Sequence, residues 1–242
     1  MDEGLTSPKR MRYFFGQLLG EDDFLAEQDY LMGKDRRHER FLHGWGVVCG
    51  LGVSAGARGT VTVEPGLAID RWGREVVVSE PREVDPRVLT DDSGEPTGAR
   101  PEHDAVTLCL AYAGDPSDPV PAPEETEDEI RFTRITESHR LLVRDGVPSR
   151  PPRLLSKEQR DAVLFGRETP AKRLGTASPE AAGCTAPDGG CVVLATVSLG
   201  GEDGARVDPW TYRRQLYSVV ALQELLFRLA RRVSLLEEAA GT

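Results

Sequence analysis

The chain has few residues suited to chemistry and no apolar run long enough to cross a membrane. In 242 residues there are four cysteines, four histidines and three tryptophans. No stretch approaches the ~20 consecutive apolar residues a spanning helix needs. The first residues, Met1-Asp2-Glu3-Gly4, are acidic and lack an apolar core, so no secretory signal is expected, and synthesis and assembly are placed in the cytoplasm. Positive charge is also short: 30 Lys and Arg against 40 Asp and Glu leave a net charge of -10, which argues against general phosphate-backbone binding. The basic clusters Arg36-Arg37-His38-Glu39-Arg40 and Arg228 with Arg231-Arg232 read as solvated faces or interface ion pairs. Catalytic signatures are missing as well. There is no GxxxxGK[ST] loop and no GxSxG elbow, and Gly44-x-Gly46-x-x-x-Gly50 is not a dinucleotide fingerprint. A Ser138, His139, Asp104 grouping can be assembled on paper, but nothing in the spacing joins it. No internal repeat of 20–50 residues is present.

The cysteines and histidines do not assemble a metal site by spacing. Cys49 and Cys109 lie in apolar strand runs and are expected to be buried small hydrophobes. Cys184 and Cys191 bracket a turn-forming loop and are placed to close a small disulfide or to supply two metal ligands, with no CxxC or HxxxH beside them. His38 and His43 are five residues apart, which does not put them on one α-helical face. The carboxylates of Glu124 to Glu129 crowd together beside prolines, where hydration rather than acid–base tuning is expected. No catalytic residue, cofactor or metal is assigned.

What the chain does have is pattern. Val61, Val63 and then Leu67, Ile69 alternate at period two, with Pro65-Gly66 interrupting the ladder. Strands are expected over Val47–Val53, Thr60–Glu64, Leu67–Asp70, Arg74–Ser79 and Val106–Tyr112, with Val76-Val77-Val78 apolar on both faces and so buried on both. Asp70 is expected to cap its own turn; beside Trp72 it is also the one acid placed for a sugar platform. A polar arm ends in Tyr13-Phe14-Phe15, and a helix follows from about Asp23 to Leu42, whose middle lacks large apolar side chains and cannot be core throughout. Gly114 to Pro123 holds enough proline to be read as an extended connector that is neither helix nor central strand. Further short strands are expected at Ile130–Thr133, Leu141–Val143 and Val192–Val197, and a capping-box match at Ser156 to Gln159 opens a short helix.

At the C-terminal end, Asp208-Pro209 reads as a helix start. Val219, Leu222, Leu226, Leu229, Val233 and Leu236 then recur at steps of three and four, a heptad seam that another chain or the monomer's own core would cover. The expected fold is α+β, mainly β: a small β-sandwich or barrel-like core with an N-terminal helix, a Pro-rich connector and a long C-terminal helix. The expected organisation is an arm and helix at 1–43, the β core module at 44–113, the connector with added strands and a short helix at 114–200, and the C-terminal helix at 201–242.

Three stretches carry a resemblance: Met11 to Leu19 with Asp23-Phe24, Glu27-Gln28 and Tyr30-Leu31; His43-Gly44-Trp45-Gly46-Val47-Val48-Cys49-Gly50-Leu51; and Val63-x-Pro65-Gly66-Leu67-Ala68-Ile69-Asp70-x-x-Gly73-Arg74-Glu75. Together with Asp115-Pro116 to Pro123, Thr133 to Ser138, Cys191 to Ala195 and Tyr212-Arg213-x-Gln215-Leu216, they resemble an uncharacterised structural protein group of phage-tail-like contractile injection systems, of baseplate or fibre-attachment type. The resemblance implies a non-enzymatic subunit that works through assembly with other particle components, including baseplate, spike or fibre proteins. It also implies a homo-oligomer, no nucleic acid, and release within an extracellular particle. Its interface candidates are Tyr13, Phe14, Phe15, Trp45, Trp72 and Trp210, with the seam Val219, Leu222, Leu226, Leu229, Val233 and Leu236. The alternative is a carbohydrate- or cell-surface-binding module of such a particle, built on Asp70 and Trp72.

Overall fold

The structure is a computed structural model that describes residues 7–121, 130–148, 190–200 and 205–240. The fold is mainly β, with a helix at each end of the described chain. The first helix, α1, spans Glu21–His38 and continues as one π-helical turn over Glu39–His43. Three acids occupy its first turn and three basic residues its last, matching the helix dipole at both ends. None of its residues is fully buried, as its polar middle requires.

Ten strands follow. They are β1 Gly46–Gly50, β2 Val53–Ala55, β3 Val61–Val63, β4 Gly66–Ile69, β5 Glu75–Val78, β6 Arg82–Val84, β7 Ala105–Pro121, β8 Ile130–Asp145, β9 Cys191–Ser198 and β10 Arg206–Asp208. They form an antiparallel three-stranded sheet β1-β4-β5, a second one β2-β3-β6, and a four-stranded sheet β10-β9-β7-β8. One core joins all three: Val47, Val61, Ala68, Val76, Leu108, Leu110, Val143 and Leu194 are buried side chains of a single cluster. The helix that closes the described chain, α2, spans Val219–Ala240.

Several sequence expectations are corrected. The run Val47–Val53 is two strands, because Gly50 and Leu51 both take positive φ and turn the chain between β1 and β2. Val77 is 55% exposed while Val76 and Val78 are buried, so β5 has one inner face rather than two. The prolines after Gly114 do not end the strand. Beyond Ala111, β8 is the one strand paired with β7 among the described residues, from Tyr112↔His139 out to Pro121↔Ile130. A strand with one free edge accepts residues that lack an N–H. The two expected strands at Ile130 and Leu141 are accordingly one, β8.

Cys191 pairs with Cys109 on the neighbouring strand, Cα atoms 5.5 Å apart, as a disulfide rather than with Cys184, which lies outside the described residues. Cys109 is buried, but Cys49 is an exposed free thiol and not the core residue expected. The acidic run Glu124 to Glu129 and the helix expected after Ser156 also lie outside the described residues. Asp208-Pro209 does not start the last helix: Asp208 ends β10 and accepts the backbone N–H groups of Trp210 and Thr211. Ser218 caps α2 instead, its Oγ accepting from Ala221 N at 3.2 Å.

One exposed ion pair ties the start of β7 to the end of β8. Asp145 accepts the backbone N–H groups of Glu102 and His103 and lies 2.9 Å from His103 Nδ1. The Asp145 hydrogen bond raises the His103 pKa, and the same bond lowers that of Asp145. A raised histidine pKa stabilises the fold below the ordinary value near ~6.5 and is lost as pH rises through the folded value. A lowered carboxyl pKa stabilises it above ~3.9 and is lost as pH falls through the folded value. Both contributions therefore overlap between about pH 4 and 6.5. NMR titration should place His103 above the ordinary histidine range in the native chain and return it there in Asp145→Asn; an unchanged titration would sink the pairing.

Candidate functional site

The interface candidates fall partly within the body, around one clamp, and partly on outward-facing segments. The clamp is built on β1. The extended segment 213–216, just before α2, lies parallel to this strand: Val47 N–H donates to Arg214 O and Leu216 N–H to Val47 O, both at 2.8 Å. The Gln215 side chain donates to Val48 O, and the Arg213 guanidinium donates to Leu51 O and Gly50 O at 2.6 Å each. Those carbonyls sit where β1 has turned away from a regular partner, so arginine takes the place of a strand. Burial lowers the Arg213 pKa, and that of Arg214 too, with help from the charge of Arg71.

Trp45 opens this strand and is half-buried, with Arg71 4.4 Å and Arg214 4.6 Å from its ring. Its indole face is covered from within the chain, so it works as a cation–π spacer in the clamp. Trp72 is half-buried too, and its backbone is fixed by Asp70. Asp70 is fully buried and accepts from Trp72 N, Arg74 N and Arg74 Nε at 2.6–2.9 Å. The turn-capping expectation is met. An acid consumed this way cannot also bind a sugar hydroxyl at the surface.

The other candidates are presented outward. Tyr13 bonds Glu27 across the arm and α1 at 2.6 Å, and this bond raises its phenol pKa. A tight turn from Phe14 to Gln17 projects Phe14 and leaves Phe15 fully exposed. Leu18, Phe24, Leu25 and Leu31 are exposed as well along the arm and helix. Trp210 is exposed on the turn after β10. The α2 seam residues Val219, Leu222, Leu226, Leu229, Val233 and Leu236 are 44–71% exposed. A third surface is the β7–β8 ribbon, where Val120, Ile130, Phe132 and Ile135 are exposed on a two-stranded extension. The ribbon is held by an Asp118–Arg134 ion pair at 2.8 Å and by an Arg140–Asp115 pair.

The described residues do not bring the Ser138, His139 and Asp104 grouping together. Ser138 and His139 sit opposite Ala113 and Tyr112 on the ribbon, whereas Asp104 precedes β7, about eight residues and roughly 27 Å down the strand. His139 lines a pocket of about 480 Å³ with Arg82, Thr90 and Arg140, and burial lowers its pKa. The rings of His38 and His43 do approach, at 5.4 Å, because the π-helical turn brings residues five apart onto one side. Among the described residues no group of three or more His, Cys, Asp or Glu is placed to hold a metal ion, and no helix is long and apolar enough to cross a membrane.

No protein-family model matches this chain, and no curated protein matches it in sequence. Among solved structures it aligns with the crystal structure of TssK at 13% identity and a TM-score of 0.37, over 84% of this chain and 41% of that one. The chain thus spans about two fifths of that structure's length.

Proposed function

We propose that this chain is a non-enzymatic structural subunit of a phage-tail-like contractile injection particle, at its baseplate or fibre-attachment end, acting through protein–protein assembly. The observation that carries this reading is the split between a closed core and uncovered ends. The strands bury a single apolar cluster, while the arm, α1 and α2 leave Phe14, Phe15, Leu18, Leu31, Leu226 and Phe227 in water. Large apolar side chains exposed in such number on the terminal elements point to surfaces that a partner covers. The particle itself is supplied by the resemblance of Met11–Glu75 to such subunits. In this reading 44–113 together with β8 and β9 is the rigid body, 1–43 and 201–242 dock neighbours, and the subunit forms a homo-oligomer contacting baseplate, spike or fibre proteins. Trp45 and Trp72 are assigned to the body's own packing, leaving Tyr13, Phe14, Phe15, Trp210 and the seam as interface residues.

Sheathed particles sedimented from producing cells should contain the chain at fixed stoichiometry, with immunogold labelling confined to one end. A chain that stays in the supernatant while particles sediment would remove the reading. The sugar-binding alternative gains no support, since Asp70 is closed within its turn.

A further inference from the structure

The heptad phase of α2 specifies its partner. With Val219, Leu226 and Val233 at position a and Leu222, Leu229 and Leu236 at d, the a positions are mostly β-branched and the d positions all leucine, the pattern that favours parallel two-stranded coils. Glu224 and Arg228 then fall at f and c. They pair with each other at 2.7 Å within the helix, away from the seam. Arg232 falls at g and Glu237 at e. Neither has an opposite charge three or four residues away, since Arg232 is flanked at those spacings by Arg228, Leu229, Leu235 and Leu236, and Glu237 by Val233, Ser234, Ala240 and Gly241. Five residues apart, they are a g-to-e pair of two different helices.

We propose that α2 covers its seam with α2 of a second copy of this chain, parallel and in register, and that Arg232 of each copy faces Glu237 of the other. This rests on reading α2 as an assembly element, and it adds the partner's identity and direction. The charges decide the direction. An antiparallel pairing with the six seam residues in full overlap sets Arg232 beside Leu225 and leaves Glu237 beyond the paired region. The parallel pairing satisfies both charges twice. Leu225 and Ala230, at g and e one heptad earlier, meet in the same arrangement and extend the apolar strip. At 22 residues, α2 offers about 33 Å of helix, just over three heptads.

The test uses the full chain in sedimentation equilibrium and native mass spectrometry. Wild type should self-associate. Arg232→Glu and Glu237→Arg should each weaken association about tenfold, because two symmetry-related attractions become repulsions. The double variant R232E/E237R should return to within about threefold of wild type, since it restores opposite charges only in the parallel register. A double variant as weak as the single ones overturns the proposal, and so does a wild-type chain that remains monomeric or that coils only with a different subunit. Those failures differ from failure of the assembly reading: a monomer that still enters sheathed particles ends this proposal alone, whereas absence from particles ends the other.

Discussion

Leu226→Glu combined with Leu229→Glu is expected to abolish self-association of the chain while leaving its β body folded. Each leucine is more than half exposed on α2, so its apolar surface contributes little until a partner covers it. Burying one leucine side chain is worth about 1.5–3 kcal/mol. Two leucines on each of two chains, replaced by carboxylates that would face one another, remove enough to weaken association by more than about a hundredfold. The core cluster contains no residue of α2, so the thermal midpoint of the body should move by less than about 2 °C. Sedimentation and a near-ultraviolet melt of the same sample separate the two effects. A midpoint that falls by ~10 °C would show that the seam packs within its own chain.

Gly66→Ala is expected to act in the opposite sense, destabilising the body itself by about 3–5 kcal/mol. Gly66 pairs with Gly50 between β4 and β1, and the two backbones come closer there than any side chain allows. A Cβ at Gly66 would fall on the Cys49 carbonyl oxygen and the Leu51 nitrogen, and one at Gly50 on the Pro65 carbonyl oxygen. Both obstacles are backbone, so the strands must separate. The Leu51 N–H to Pro65 O bond of 3.0 Å goes with them, along with the seat of Leu51 in the core. For a chain of this size the melting midpoint should drop by roughly 10 °C or more. Gly52→Ala is the control: its added Cβ meets only the flexible Glu64 side chain at 3.7 Å, and it should melt within about 2 °C of wild type. Equal losses in the two variants would show that backbone freedom, not close approach, is what Gly66 provides.

The core was legible wherever one face of a strand is buried, because alternation at period two is a direct image of a sheet with an inside. Val61 and Val63 show this, whereas in Val76-Val77-Val78 an exposed valine between two buried ones hides the alternation. The heptad on α2 was legible for the related reason that helical spacing records the face to be covered. Three things escaped. Prolines 116 and 119 read as a break because the pattern says nothing about which strands have a free edge. The Cys109–Cys191 pairing joins residues 82 apart and depends on the β7–β9 register, which no local signal carries. The clamp at 213–216 is polar and aperiodic. Its arginines bind carbonyls of β1, and only the turn at Gly50 and Leu51, visible in three dimensions, exposes those carbonyls. The segment was marked in the sequence through Tyr212 to Leu216 of the resemblance, without any hint of what it touches.

The direction of that clamp has a mechanical meaning. The chain arrives from α1 at the first residue of β1, and the parallel segment departs into α2 from the opposite end. Tension applied between the two terminal helices would therefore slide the segments lengthwise past each other. All of their cross-links, arginine forks included, would be strained at once instead of being unzipped one by one. A connection loaded in shear resists sudden traction far better than a peeling one.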